Sequence, residues 1–180
     1  MHARTLAGGL VAAVVFAAGC SSSQKADGPT LSEQVTDTIA VMQSKDPNLK
    51  KWFDDSSYGY AVFPGVGKGA VGIGGASGKG EVFEQGKRIG TATLTQVTIG
   101  LQLGGQAYSE VVFFKDKRAL DMFKADTLEL SAQASAVAVK AGGSADADYD
   151  DGVAIFTMAK GGLMFEASVG GQKFNYLATD

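Results

Sequence analysis

The sequence predicts an α+β fold: an antiparallel β-barrel or sandwich of about eight short strands, preceded by two N-terminal helices and containing one short inserted helix. Apolar residues recur at helical spacing before residue 58, and from Tyr58 onward they alternate with a period of two. Glycine is the third observation, because it accounts for 25 of the 180 residues without a fixed period. Each glycine inside a helix costs roughly 0.5–1 kcal/mol relative to alanine, so this density favours turns and strand faces without side chains.

Composition excludes several classes of protein. Hydrophobic residues make up 45% and charged residues 19%, which is enough for a core and argues against wholesale disorder. The net charge of -3 argues against a nucleic-acid-binding protein. Cys20 and His2 are the only cysteine and histidine, so a disulfide within the chain and a Cys/His metal site are both excluded, and we expect no metal and no cofactor.

The N-terminus has the pattern of a targeting signal. Residues 1–19 contain Arg4 and then an apolar run over 6–18, which is too short to span a bilayer comfortably and fits a signal peptide. Small residues directly before Cys20 resemble a bacterial lipobox, so we expect acylation of Cys20, a flexible tether over 20–29 and a folded domain over 30–180. By bacterial sorting rules, Ser21 favours the periplasmic face of the outer membrane. The alternative is a secreted protein with a buried free thiol.

Two amphipathic helices are predicted next. Thr30 and Glu33 form a capping box, and Leu31, Val35, Ile39 and Met42 follow on one face. Asp46-Pro47 predicts the start of a second helix that carries Leu49, Trp52 and Phe53 on one side. We interpret both faces as docking on the core, and the alternative for Leu31, Val35 and Ile39 is insertion at a membrane surface.

The strands follow from Tyr58. In the stretch 58–83, YGYAVFPGVGKGAVGIGGASGKGEVF, glycines leave one strand face bare and open to close approach. Gln85-Gly86 predicts a hairpin tip, Asp116 caps a predicted helix over 117–125, and residues 141–152 form an acidic loop. Further strands are predicted over 82–93, 96–103, 107–114, 128–139, 153–159, 163–169 and 172–177.

The sequence contains no complete motif for catalysis or cofactor binding. Residues 67–72 match G-x-G-x-x-G, but more glycine follows where a dinucleotide site needs a helix. The acidic residues 146–151 begin like a calcium loop, yet Asp151 and Thr157 replace the required glycine and glutamate. We interpret these residues as a solvated turn, and the alternative is weak cation binding. Carboxylates are scattered without a pairing pattern, and the sequence predicts a protein that is not an enzyme.

Basic residues are the remaining candidates for a binding site. A lysine at an anionic membrane surface contributes about 1 kcal/mol, so several that converge would matter despite the negative net charge. The alternative is ordinary solvated charge. The predicted headgroup-binding residues are Lys68, Lys79, Lys87, Arg88, Lys117 and Arg118. Other basic residues lie near the inserted helix, at Lys115 and Lys124, and near later turns, at Lys160 and Lys173.

Several long segments together resemble one family. They are the stretch 58–83, TIGLQLGGQAYSEVVFF, ALDMFK, LSAQASAVAVKAG and GVAIFTMAKGGLMFEASVGGQKF. In this order they are similar to the SYLF lipid-binding domain family, from about Asp37 to Tyr176. Eukaryotic members accompany SH3 or FYVE modules and bind phosphoinositide-containing membranes, and yeast actin-patch members bind actin.

The resemblance implies a phospholipid membrane as partner, contacted through basic residues and an amphipathic N-terminal helix. Here that helix is poor in lysine and carries Glu33 and Asp37, which weakens its insertion into a membrane. An anionic phospholipid is the expected ligand, and an envelope lipoprotein is not expected to meet actin. The alternative function is a non-catalytic envelope module that binds a protein partner.

Overall fold

The computed structural model describes residues 28–69, 73–99, 106–128, 130, 136–160 and 169–179. Within them, three helices and seven strands follow one another in an α+β order. No helix in these ranges is long and apolar enough to cross a bilayer. The elements are α1 (Leu31–Lys45), α2 (Leu49–Asp54), β1 (Gly59–Gly69), β2 (Ile73–Glu84), β3 (Lys87–Ile99), β4 (Gln106–Phe114), α3 (Lys117–Lys124), β5 (Val137–Ala138), β6 (Val153–Ala159) and β7 (Gln172–Ala178).

The predicted capping box starts α1, because the Thr30 hydroxyl accepts from the Glu33 amide and the Thr30 amide donates to the Glu33 carboxylate at 2.7 Å. The predicted start of α2 at Asp46-Pro47 is wrong by two residues, since Asn48 occupies the N-cap position. Asp46 is fully buried and accepts from the amides of Asn48 and Ser144, so its carboxylate joins the corner between the helices to the loop at 144. A contact between residues 98 positions apart therefore overrides the local capping signal.

One sheet contains all seven strands, in the order β5-β6-β4-β1-β2-β3-β7. A sandwich is therefore wrong, and the strands are not all short, because β3 runs unbroken for 13 residues through Gln96, where we expected a new strand to begin. The hairpin tip at Gln85-Gly86 is confirmed, with φ of 49° and 76° as a type I′ turn requires. A bulge in β1 between Val62 and Val66 contains Pro64, which has no amide hydrogen to donate to a ladder.

The sheet is strongly curved but is not closed into a barrel. Glu110 on β4 and Gln172 on β7 are separated by three strands in the sheet, yet their side chains are joined by a 3.0 Å hydrogen bond. Residues that follow α3 lie against the free edge of β7, where Gly171 donates to the Leu130 carbonyl and Tyr176 donates to Asp126. In the described part of the chain these irregular residues take the place of the strand pairing that would close a barrel.

Among the described residues of the predicted strand over 128–139, only Val137–Ala138 forms a strand. Leu128, Leu130 and Ala136 are buried without strand structure, and pairing is limited to β5, which runs parallel to β6. Leu128, Leu130 and Ala136 belong instead to the apolar cluster that contains Leu120 and Phe123 of α3. The predicted strand over 163–169 falls almost wholly outside the described residues.

Two apolar clusters lie on the two faces of the sheet. The cluster on the concave face joins Phe63 and Phe114 of the sheet to Phe123 of α3. The cluster on the convex face joins residues of the sheet, such as Phe113, to Val35 of α1 and Trp52 of α2. The side of the sheet to which each residue points therefore decides which helices it contacts, and it leaves part of the convex face uncovered.

Candidate functional site

The uncovered part of the convex face lies on β2, β3 and β7. Outward residues there are exposed or half-buried, while their inward neighbours Ala76, Leu94 and Phe174 are buried in the concave cluster. Exposed glycines of β1 continue this surface. We name the surface the lysine platform and define it by Gly65, Gly67, Ser77, Lys79, Thr93, Thr95, Lys160 and Lys173.

Strand register sets small residues in a row between two lysines. Each step of the row is a cross-strand partner or a backbone hydrogen bond, including the bond from the Lys160 amide to the Ala107 carbonyl at 2.9 Å. Because paired residues share a face, the residues of the row point outward together. From one end to the other the row reads Lys160, Ala107, Gly67, Ser77, Thr95 and Lys173.

Lys160 and Lys79 both neighbour Gly65. Lys79 is the direct register partner of Gly65 on β2. The Lys160 Nζ lies 3.7 Å from the position that a Cβ on Gly65 would occupy. Without a side chain at residue 65, the ammonium group of Lys160 can lie over β1, towards Lys79.

The positive charge of the platform is not compensated within the described part of the chain. None of Lys79, Lys160 and Lys173 forms an ion pair there. On the outward side of β2, Glu81 is 3% exposed and binds Arg88 and Ser32. Three free ammonium groups around a shallow surface of hydroxyls and bare backbone suit a plane of anionic groups better than one enclosed ligand.

Four of the predicted headgroup-binding residues lie at the other end of the sheet. Register joins Glu84 to Lys87 and Gly59 to both Glu84 and Phe114, so the hairpin tip lies near the start of α3. The structure therefore brings Lys87, Arg88, Lys117 and Arg118 to one end of the molecule, away from Lys79.

Two of these four are already paired. Arg88 donates from Nε to Glu81 at 2.7 Å, and Lys117 donates from Nζ to Asp121 at 2.6 Å. The hydrogen bond to Asp121, with its charge, raises the pKa of Lys117. Both partners are exposed, so water screens this ion pair and it contributes little to stability.

Arg118 lines a cleft of about 440 Å³ between α3 and the turn at Asp151-Gly152. Lys115 adds a second positive charge, and Met122 and Leu128 supply an apolar wall. Asp116 and Asp151 also line this cleft and offset its positive charge. The cleft therefore has less excess positive charge than the platform.

Two predicted residues cannot be placed in full. Lys68 pairs through its backbone with Ala76 and Gln106, which puts it one residue beyond Gly67 in β1, and its side chain lies outside the description. Cys20, the expected lipidation site, also lies outside the described residues.

The predicted stripe of α1 is docked on the convex face. Val35 is 1% exposed, and Leu31 and Ile39 are partly buried against the same cluster. Exposed Glu33 and Asp37 line an open cleft on the solvent side of the helix. In this arrangement the helix offers its acidic side, and not its apolar side, to an approaching surface.

Glu81 and Glu110, the buried glutamates among the described residues, do not form a pair. Glu81 points outward beneath α1, whereas Glu110 points into the concave face. The acidic turn at 146–151 is exposed in the main, and no group of three or more metal-binding side chains occurs among the described residues.

Sequence reasoning did not group Lys160 and Lys173 with Lys79. Their separation along the chain hides a proximity that arises from the register of β1, β2, β3 and β7. The alternation of Thr91, Thr93 and Thr95 was an available signal, because exposed hydroxyls at period two mark a strand with one solvated face.

Comparison with known proteins agrees with the resemblance seen in the sequence. Residues 95–176 match the model of a family described as "Ysc84: Las17-binding protein actin regulator". A curated relative, beta cell expansion factor A of Aeromonas veronii, is 28% identical over 144 residues. That alignment covers 78% of this chain and 54% of the relative, so the chain spans about half the length of the protein it matches.

The matched region runs from β3 to β7 and so includes Thr95, Lys160 and Lys173 of the platform. The strands, the inserted helix and the last strand of this region follow one another in the same order as the segments that resemble the SYLF family. Residues 95–176 are therefore similar to the Ysc84 family, and the alignment with the curated relative extends this similarity over 78% of the chain.

Proposed function

We propose that this protein is a lipid-anchored component of the bacterial envelope, that it binds anionic phospholipid membranes through the lysine platform, and that it is not an enzyme. The observation that carries the proposal is the set of three lysines, Lys79, Lys160 and Lys173, without ion-pair partners among the described residues, on an uncovered sheet face. The similarity of residues 95–176 to the Ysc84 family supports the proposal, because it is consistent with lipid binding in general.

The charge of the platform is sufficient for measurable binding. Each lysine near an anionic surface contributes about 1 kcal/mol, so three together contribute about 3 kcal/mol, close to a hundredfold in affinity. Salt screens such interactions with a Debye length of about 8 Å at physiological ionic strength. Binding should therefore weaken steeply as salt is raised.

Liposome co-sedimentation tests the proposal with protein that begins at Ser21, so that no acyl chain contributes. The triple variant Lys79→Glu, Lys160→Glu, Lys173→Glu should lose at least the roughly hundredfold affinity that the three charges supply. The matched control Lys45→Glu, Lys50→Glu, Lys51→Glu makes the same change in net charge on α1 and α2. Equal losses in both proteins would show that net charge, and not the platform, determines binding. Equal binding to neutral and anionic vesicles would contradict the headgroup proposal.

The anchor is tested separately at Cys20. Each buried CH₂ contributes about 0.8 kcal/mol, and one chain alone anchors only marginally, so a second attachment through the platform would strengthen membrane residence. Intact mass spectrometry of membrane-extracted protein should show acyl groups on a mature chain that starts at Cys20. Cys20→Ser should release the protein from the membrane fraction at high salt.

A protein partner is the alternative occupant of this surface. Val97 is 74% exposed and Leu177 is 63% exposed, and both are outward residues of strands that carry the platform. Recovery of one stoichiometric protein by cross-linking in the envelope, together with no liposome binding, would favour this function over the first.

A further inference from the structure

The lysine platform lies beside a ridge that the two N-terminal helices form on the same face of the sheet. The convex cluster joins Val62 of β1 to residues of α1 and α2, whereas Gly65 and Gly67, which follow in β1, are exposed. The helices therefore cover the half of the convex face nearer the Gln85-Gly86 hairpin and leave the other half open.

This ridge limits how a bilayer can reach the platform. An α-helix with its side chains is about 10–12 Å across, so α1 and α2 rise above the sheet further than a lysine side chain extends. A flat leaflet laid parallel to the convex face would meet the helices first, at Glu33 and Asp37, which are exposed on the solvent side of α1. An anionic surface repels both carboxylates. The leaflet can reach the lysines only if the sheet is inclined, with its uncovered half leading.

The uncovered half finishes at one end of the sheet. There β1 stops at Gly69, β3 stops at Ile99, and β2 and β4 begin at Ile73 and Gln106. We name this the Gly69 end. The Gln85-Gly86 hairpin and the start of α3 lie at the opposite end, so an inclined approach brings the Gly69 end to the leaflet first.

An exposed apolar side chain lies near the Gly69 end. Val97 is 74% exposed and points outward from β3, and its register partner on β2 is Gly75, which has no side chain to cover it. Val97 lies two residues beyond Thr95, the register partner of Lys173. Because a strand rises about 3.3 Å per residue, Val97 leads Lys173 by about 7 Å and leads the row of Lys79 by about 13 Å.

We propose that the domain meets an anionic leaflet with the Gly69 end leading, so that Val97 enters the apolar boundary of the leaflet while the lysines of the platform remain among the phosphates. Interfacial protein segments bury apolar side chains about 5–10 Å into the boundary between headgroups and acyl chains, which matches the lead of Val97 over Lys173. Lysine side chains are long enough to extend from the inclined sheet to the level of the headgroups. This mode of docking rests on the proposed function, because it specifies how the platform binds.

A fluorescent label reports which part of the sheet enters the leaflet. Protein that begins at Ser21 contains no cysteine, so Val97→Cys accepts a single environment-sensitive dye such as NBD. On vesicles of phosphatidylglycerol and phosphatidylcholine this label should shift its emission to shorter wavelength, and nitroxide lipids should quench it. Leu177→Cys is the matched control, because Leu177 is 63% exposed on the same face and pairs with Thr91, about 20 Å from Val97 along the strands. Its label should keep the emission that it has in water.

Two results would overturn this mode of docking. Equal shifts at residues 97 and 177 would mean that the convex face meets the leaflet flat. A label at residue 97 that stays in water, on protein that co-sediments with the vesicles, would leave the Gly69 end to a protein partner. Failure of the proposed function is a different result, because unlabelled protein would then not bind anionic vesicles at all, and the mode of docking would fall with it.

Val97→Thr tests the apolar contact without a dye. Threonine has nearly the shape of valine and suits a strand, so the fold is retained while a hydroxyl replaces one methyl group. Val97→Thr should bind anionic vesicles about fourfold more weakly, the effect of about one buried methyl group, with an unchanged dependence on salt. Leu177→Thr should bind as tightly as the wild type. Equal affinities for the wild type and Val97→Thr would contradict the insertion of Val97.

Discussion

The glycines of β1 and β2 fall into two sets that differ in what surrounds them. On the concave side, a Cβ added to Gly80 would meet the Val62 carbonyl oxygen at 2.4 Å and the Phe63 ring at 2.7 Å. A Cβ on Gly78 would meet Val66 at 2.9 Å. On the convex side, a Cβ on Gly67 would meet nothing within 4 Å.

The difference shows that one residue type has two separate roles in this sheet. Inward glycines allow the large aromatic side chain of Phe63 to lie directly on the neighbouring strand, and so they contribute to the core. Outward glycines leave room above the sheet, which Lys160 uses at Gly65. We therefore expect substitutions of the inward set to change stability and substitutions of the outward set to change binding.

The largest effect is expected at Gly80. Gly80→Ala places a methyl group in contact with the Val62 backbone and the Phe63 ring, and such overpacking should lower the free energy of unfolding by about 3 kcal/mol. Urea unfolding followed by the fluorescence of Trp52, the single tryptophan, measures it. An unchanged midpoint would show that β2 can shift and that the tight contact is not required.

A second large effect is expected where the helices cover the convex face. Burial raises the pKa of Asp46, but hydrogen bonds from Ser144, Asn48 and Gly142 outweigh burial, and the pKa lies below its usual value. Asp46→Asn should lower the free energy of unfolding by about 2 kcal/mol near pH 7, because hydrogen bonds to a charged group are lost.

The same variant gives the pH dependence of this contribution. Since the folded pKa is lowered, the stability from Asp46 is fully present above the unfolded pKa of about 3.9 and is lost as the pH falls through the folded value. Unfolding free energies of the wild type and Asp46→Asn should therefore converge below about pH 4. A difference that is constant from pH 7 to pH 2 would rule out the charge as its cause.

A smaller effect, on binding alone, is expected at Gly67. Gly67→Glu puts a carboxylate in the middle of the lysine platform, and we expect about fivefold weaker binding to anionic liposomes, equivalent to about 1 kcal/mol. Gly67→Gln is the matched control for size without charge. If glutamate and glutamine weaken binding equally, steric obstruction and not charge explains the loss.

The smallest effect compares the two glycine sets directly. Gly67→Ala, for which the structure leaves open space, should leave the unfolding free energy unchanged or raise it by about 0.4–1 kcal/mol, because alanine reduces the entropy of the unfolded chain. Gly80→Ala has the opposite sign. If the two alanine variants are destabilised to the same extent, the distinction between the inward and outward sets is wrong.

Local sequence patterns correctly predicted the elements whose ends are determined by residues nearby in the chain. The capping box at Thr30, the hairpin at Gln85-Gly86, the helix capped by Asp116 and the strand from Val153 to Ala159 occur as the sequence indicates. The start of α2 was predicted wrongly, because Asp46 binds Ser144. Leu128 and Leu130 were predicted in a strand and lie outside one, because the residues after α3 lie against the edge of β7.

The candidate site was predictable only in its chemistry. Alternation identified which residues point outward, and composition identified lysine as the available positive charge. The sequence by itself therefore determined that a glycine-rich sheet carries basic residues. Acylation of Cys20 stays a prediction. Register and curvature between distant strands determined that Lys160 lies over Gly65, the register partner of Lys79, and that Gln172 reaches Glu110. These contacts depend on how strands far apart in the chain align, and local sequence patterns contain no information about that alignment.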